Sequence, residues 1–247
     1  MRNIKLTVEY DGTNFYGWQT QAHNRRTVQT EIEKALTLIL QKQIRIHGSG
    51  RTDTGVHALG QVANFRASLN MACPKLLRAL NANLPDDISI LAVEDVDDAF
   101  HARFSVKSKC YRYTILNRTA KPAQLRNFCL WHPYKLSIPK MREGARYLLG
   151  RKDFRSFQAS DALRKGHDTV RTVKSLKISK RGDLITIEIT ATGFLYKMVR
   201  NIVGTLLDVG HNTLEPKDLH RILKAKDRRQ ASKTAKPEGL CLVEVSY

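Results

Sequence analysis

Between residues 4 and 40 the hydrophobic pattern changes period, and that change limits the possible folds more than any other feature of the chain. Ile4, Leu6, Val8 and Tyr10 alternate with Lys5, Thr7 and Glu9, the period of a half-buried strand. After a loop holding Phe15, Tyr16 and Trp18, Thr27 is placed to cap a helix. Val28, Ile32, Ala35, Leu36, Ile39 and Leu40 then recur at helical spacing. The switch repeats. Residues 44 to 47 read as a strand running into a glycine-rich turn, and residues 61 to 66 as its continuation. Pro74 suits the first turn of a helix reaching Leu84, and residues 88 to 93 read as a further strand.

A second series begins at Cys110. Tyr111, Tyr113 and Ile115 share one face of a strand, while Cys110, Arg112 and Thr114 take the other. Pro139 starts a helix that Gly150 ends. Residues 169 to 194 read as two strands joined through Arg181, Gly182 and Asp183. A helix over residues 194 to 210 follows, then a basic helix from Pro216 and a closing strand over 239 to 247. Strands and helices thus interleave in two batches that meet near residues 95 to 108, without an internal repeat. A chain of 247 residues buries enough surface to hold such a core without staples.

The charge balance narrows the partners. Forty-two Lys and Arg against 23 Asp and Glu leave +19. Charge of that size favours polyanions, chiefly nucleic acid or an anionic membrane surface. No run of about 18 apolar residues exists, and neither a signal-peptide core nor a lipidation signal opens the chain. Cys73, Cys110, Cys129 and Cys241 are scattered without a C-x-x-C pair, so they read as reduced cytosolic thiols rather than a zinc knuckle or disulfide framework. His57 and His101 have no neighbouring ligand at metal spacing. The stretch RRQASKTAKPEG is either a solvated loop or an arm lying along a phosphate backbone.

Chemistry concentrates in GSGRTDTGVHALGQVANF, residues 48 to 65, where four glycines surround a single carboxylate, Asp53. The G-x-x-x-x-G spacing after a strand suits a phosphate cradle, but Val56 and His57 stand where a P-loop needs Lys and Ser/Thr. The nucleotide-hydrolase reading fails there. The plain alternative is a turn in which Asp53 caps its own backbone amides. Tyr111 and Tyr113 at period 2 suit ordinary sheet packing. Arg200 says more, because Leu195, Met198, Val199, Ile202, Val203 and Leu206 form an apolar stripe with Arg200 on its flank, beside Tyr196. A half-buried arginine needs an anionic partner.

Taken together, GSGRTDTGVHALGQVANF, KCYRYTILN and GFLYKMVRNIVGTLLDVG resemble the TruA family of tRNA pseudouridine synthases, as do VEYDGTNFYGWQ, HARF at residues 101 to 104 and DFRSF at 153 to 157. The resemblance runs the length of the chain and is weakest over residues 224 to 238. It implies a cytoplasmic homodimer that isomerises uridine to pseudouridine on the 3′ strand of the anticodon stem-loop of tRNA (tRNA positions 38–40), without cofactor or metal. Asp53 matches the family's catalytic nucleophile, Arg200 the arginine that pairs with it, Tyr111 the tyrosine that contacts the target base, and Arg51 the arginine that helps displace that base. The implied fold is α+β. Two α/β domains, residues 1–105 with the R-T-D turn and 106–247 with Tyr111 and Arg200, join mostly antiparallel sheets side by side. Helices pack on one face, and the active cleft lies between the domains. Competing readings are a non-catalytic RNA-binding protein on the same scaffold, and a glycosidase-like enzyme, which would want a second carboxylate.

Overall fold

Strand β1 (Arg2–Tyr10) carries the alternation seen in the sequence into three dimensions: Ile4, Leu6 and Val8 are fully buried while Glu9 is exposed. The computed structural model describes residues 1–21, 25–159 and 168–247. The chain divides into two compact units, residues 1–107 with 241–247, and residues 108–240. Its five α-helices and its sheet strands make it a mixed α/β protein among the described residues. No described helix is long and apolar enough to cross a membrane.

In the first unit β1 pairs antiparallel with β3 (His57–Ala67) on one side and with β4 (Ile88–Val96) on the other. The short β2 (His47–Gly48) pairs antiparallel with β3, and β10 (Leu240–Ser246) runs parallel to it through Cys241 and Leu242. Helix α1 (Val28–Leu40) is capped by Thr27, whose hydroxyl accepts the Thr30 amide, and α2 (Cys73–Asn83) has Pro74 in its first turn. Ile32 and Leu36 of α1, and Leu76 and Leu80 of α2, are fully buried. Strand β3 carries two buried amides, Gln61 and Asn64, and both are hydrogen-bonded, as burial demands.

The expected strand over residues 44 to 47 is a correction. Only His47 and Gly48 pair as a strand. The backbone of Ile46 instead bonds to side chains of α1, its N–H donating to Glu33 Oε1 at 3.0 Å and its carbonyl accepting Gln29 Nε2 at 3.3 Å. The burial alternation survives, with Ile44 and Ile46 inside and Arg45 and His47 outside.

The second unit is built on β5 (Ser108–Leu116), β9 (Leu184–Ala191), β8 (Val170–Arg181) and β7 (Gly150–Asp153), hydrogen-bonded antiparallel in that order. A two-residue strand, β6 (Leu130–Trp131), runs parallel to β5. Gly182, at φ +57°, turns the β8–β9 hairpin. Tyr113, Ile115, Ile185 and Ile187 bury there with Ile202, Val203 and Leu206 of α4 (Met198–Gly210). Helix α3 (Ile138–Arg146) stops before the predicted Gly150, which at φ +87° opens β7. Helix α4 starts four residues later than its apolar pattern suggests. Lys197 adopts the left-handed region, φ +56°, and the Tyr196 carbonyl is taken by the Ala159 amide. The last helix, α5 (Asp218–Ala225), begins just after Pro216.

Candidate active site

The turn between β2 and β3 is held by backbone and side-chain hydrogen bonds at several of its residues. Ser49 N–H donates to Val62 O at 2.7 Å, and its hydroxyl donates to Gln61 Oε1 at 2.6 Å. Gln61 Nε2 returns a bond to Gly50 O at 3.1 Å. Thr52 is buried; its hydroxyl shares a 2.8 Å hydrogen bond with Tyr10, and its carbonyl accepts the Trp18 amide at 3.2 Å. Burial pushes the Tyr10 phenol well above its ordinary range, so this bond is made by a neutral hydroxyl. Val56 N–H closes the turn on Asp53 O at 3.1 Å, with Gly55 at φ +76°. Out of this frame project Arg51, exposed, and Asp53, half-buried.

The loop over residues 11 to 18 presses on the same turn. A side chain at Gly17, which has φ +84°, would place its Cβ 2.5 Å from Thr52 O and 3.1 Å from the Asp53 carbonyl carbon. One at Gly12 would collide with the Val56 carbonyl. Gly12 N–H donates to Nδ1 of the buried His57 at 3.0 Å, so His57 serves as a backbone anchor for this loop. Glycine is required at both places because backbone lies against backbone. The sequence offered one signal of this support, two glycines among the aromatics of YDGTNFYGWQ, and periodicity could not say what they touched.

In the second unit Tyr111 lies on β5, 8% exposed, with the Phe194 ring edge-on at 5.0 Å. Arg200, in the first turn of α4, is half-buried, and its Nε donates to Ala235 O at 2.8 Å. Its own carbonyl accepts the Ala235 amide at 3.1 Å. The segment that holds Arg200 is therefore the basic stretch whose role the sequence left open. It packs on α4. A side chain at Gly204 would strike the Lys233 carbonyl, and Ala231 and Ala235 are buried. Arg228 ties the segment down: its guanidinium donates to Ala231 O at 2.9 Å, Asn201 Oδ1 at 3.0 Å, Ser232 O at 2.9 Å and Thr234 Oγ1 at 3.2 Å. Asn201 is fully buried and also donates to Phe157 O at 2.7 Å. Nothing in the sequence distinguished Arg228 from its cationic neighbours as the one that reaches Asn201 on α4.

Asp53 and Arg51 thus share one turn of the first unit, while Tyr111 and Arg200 stand on β5 and α4 of the second.

A family model described as tRNA pseudouridine synthase matches residues 6–105 and 145–247. The chain is 48% identical to the tRNA pseudouridine synthase A of Thermoanaerobacter sp. (strain X514), with 100% of both chains covered. It is 45% identical to the protein of that name from Caldicellulosiruptor bescii, and 43% identical to tRNA pseudouridine synthase A 2 of Clostridium perfringens (strain 13 / Type A), again with 100% of both chains covered in each. A chain of the solved Cbf5-Nop10-Gar1 complex overlays with a TM-score of 0.37 at 11% identity, covering 96% of this chain and 57% of that one, a likeness too low to carry an argument. The chain belongs to the tRNA pseudouridine synthase family, a family of isomerases acting on tRNA.

Proposed function

We propose that this protein isomerises uridine to pseudouridine on the 3′ strand of the tRNA anticodon stem-loop, with Asp53 as nucleophile. The observation that carries the reading is a half-buried carboxylate at the tip of a backbone-clamped turn, in a family member whose net charge is +19. The reaction breaks the N1–C1′ bond, turns the uracil and rejoins it through C5. The C5 proton leaves and N1 gains one, so substrate and product hold the same atoms and no redox partner or energy source is consumed. Asp53 stabilises the severed state by adding covalently to one fragment.

Burial disfavours a charged carboxylate, and a guanidinium within about 4–6 Å restores the charged form. Arg200 fills that role in this reading. Tyr111 supplies the surface on which the base turns. The target base must leave its stack, at a cost of a few kcal/mol, and Arg51, exposed beside Asp53, enters the vacated space. Positive charge over the surface grips RNA by its backbone. The enzyme works as a homodimer in the cytoplasm, a reading that sedimentation of the purified protein checks.

The test is Asp53→Asn on unmodified tRNA. Pseudouridine formation disappears, while tRNA affinity stays within about tenfold because phosphate contacts dominate binding. Residual activity in a tritium-release assay would remove Asp53 from its role. Arg200→Ala lowers the single-turnover rate of tritium release while tRNA affinity stays close to wild type; a wild-type rate would break the pairing.

A further inference from the structure

Phe104 is the most exposed internal hydrophobic side chain among the described residues, 74% accessible, and it stands on one of the most tightly fixed turns of the first unit. Asn3 Nδ2 donates to Asp97 O at 2.8 Å and to Phe100 O at 2.9 Å. Asn64, buried in β3 and bonded to Asn3 at 2.9 Å, accepts the Ala102 amide at 2.9 Å. Tyr247 OH donates to Ala102 O at 2.8 Å. Within the turn, His101 N–H donates to Ser105 Oγ at 3.1 Å, while Phe104 N–H and Ser105 N–H both donate to His101 O, at 3.1 and 2.9 Å. Holding a phenyl ring in water on a scaffold this rigid gives the fold no burial energy.

Three rings make a ladder. His47 lies 5.1 Å from His101, and His101 lies 4.5 Å from Phe104, centroid to centroid. The Arg103 guanidinium carbon sits 5.5 Å from the Phe104 centroid. Arg103 N–H donates to His101 Nδ1 at 3.1 Å, which fixes the middle ring. Arg45 and His47 project outward from the stretch leading into the ladder. Of the nearby acids, Asp97 is engaged within the turn, its Oδ1 accepting the Ala99 amide at 2.7 Å, while Asp98 is exposed and its backbone carbonyl accepts Arg66. His47 is six residues before Asp53, so the ladder starts within about 20 Å of the candidate nucleophile along the chain.

We propose that Phe104, flanked by Arg103, is a stacking platform that extends the His47–His101–Phe104 ladder with an unpaired nucleobase of the RNA substrate, separate from the base being isomerised. An exposed ring beside the Arg103 guanidinium on a prearranged turn suits such a base: the base has a flat face to match the phenyl ring, and its phosphate matches the guanidinium. This inference rests on tRNA being the substrate, as proposed above.

The test compares wild type, Phe104→Ala and Phe104→Trp, each checked for folding by circular dichroism. Phe104→Ala loses about tenfold in tRNA affinity, roughly 1.4 kcal/mol, which lies in the range for one base on an aromatic ring. The loss falls on Kd and KM rather than on kcat, and Phe104→Trp restores affinity. The slope of affinity against salt stays as in wild type, since no phosphate contact has been removed. A Phe104→Ala protein with wild-type Kd and KM overturns the proposal. So does a change of oligomeric state in sedimentation, which would make the platform a contact between copies of the chain. If the wild-type protein neither binds nor modifies tRNA, the proposed function fails first, and a fluorescence-anisotropy titration with wild type separates that case from failure of the platform alone.

Discussion

Gly17→Ala puts the geometry of the Asp53 turn under direct test. Gly17 sits at φ +84°, where a side chain costs about 1–2 kcal/mol. The new Cβ would lie 2.5 Å from Thr52 O, against an ordinary contact that begins at 3.4 Å, so the backbone must give by nearly an ångström. The three nearest atoms are backbone of Thr52, Asp53 and Thr54, which cannot swing aside as a flexible side chain could. Overpacking of this kind costs about 1–3 kcal/mol more. The turn therefore shifts by several tenths of an ångström, and a misplacement of about 1 Å at a reacting group lowers a rate about 100-fold. Gly182→Ala is the control: at φ +57° it carries a similar backbone cost, with no atom within 4 Å of the new Cβ. The assay is single-turnover tritium release from tRNA labelled at uridine C5, with both variants brought to equal folded fraction by thermal melts. Gly17→Ala falls about 100-fold below Gly182→Ala, with tRNA affinity close to wild type. Rates within about threefold of each other would show that the close approach of residue 17 does not position Asp53.

Three further outcomes follow from the same contacts. Arg228→Ala removes four bonds from a half-buried guanidinium and costs about 2 kcal/mol, seen as a fall of about 4–8 °C in Tm. Arg228→Lys does not restore it, because an ammonium cannot reproduce the planar fork; a melt unchanged in Arg228→Ala would dissolve the link between this segment and α4. His132 has its pKa held below the ordinary range by burial first and by His211 second, the rings being 4.6 Å apart. The unfolded chain therefore binds a proton that the folded one refuses, so stability present above about pH 6.5 drains as pH falls through the lower folded value. His132→Gln shrinks the difference in Tm between pH 7 and pH 5, and an equal difference in both proteins would contradict the burial argument. Asn64→Ala leaves Asn3 and the Ala102 amide without their shared partner and costs about 1–3 kcal/mol, measurable by urea denaturation; no change in midpoint would mean that the turn bearing Phe104 is held by its other bonds.

Much of the scaffold was legible in local pattern. The alternation at Ile4, Leu6 and Val8 gave β1, Thr27 gave the start of α1, and Gly182 gave the β8–β9 turn. Each of these signals is a short-range steric or capping preference, so neighbours in sequence suffice to express it. Where the reading slipped, a distant group had intervened. Residues 44 to 46 alternate like a strand, but Glu33 and Gln29 take the backbone of Ile46. Residues 194 to 197 fit the helical stripe of α4, but Lys197 turns left-handed and the helix starts at Met198.

The sequence by itself determined the order of the longer strands and helices, a net positive charge suited to RNA, and a lone acid in a glycine turn, because composition and period are written residue by residue. Only the tertiary structure decided that residues 11 to 18 brace that turn, that residues 228 to 236 clamp Arg200 on α4, and that Phe104 is held out on a fixed turn. Those features are hydrogen bonds and close approaches between segments tens of residues apart. Their partners are chosen by how the elements pack, and no local pattern records that choice.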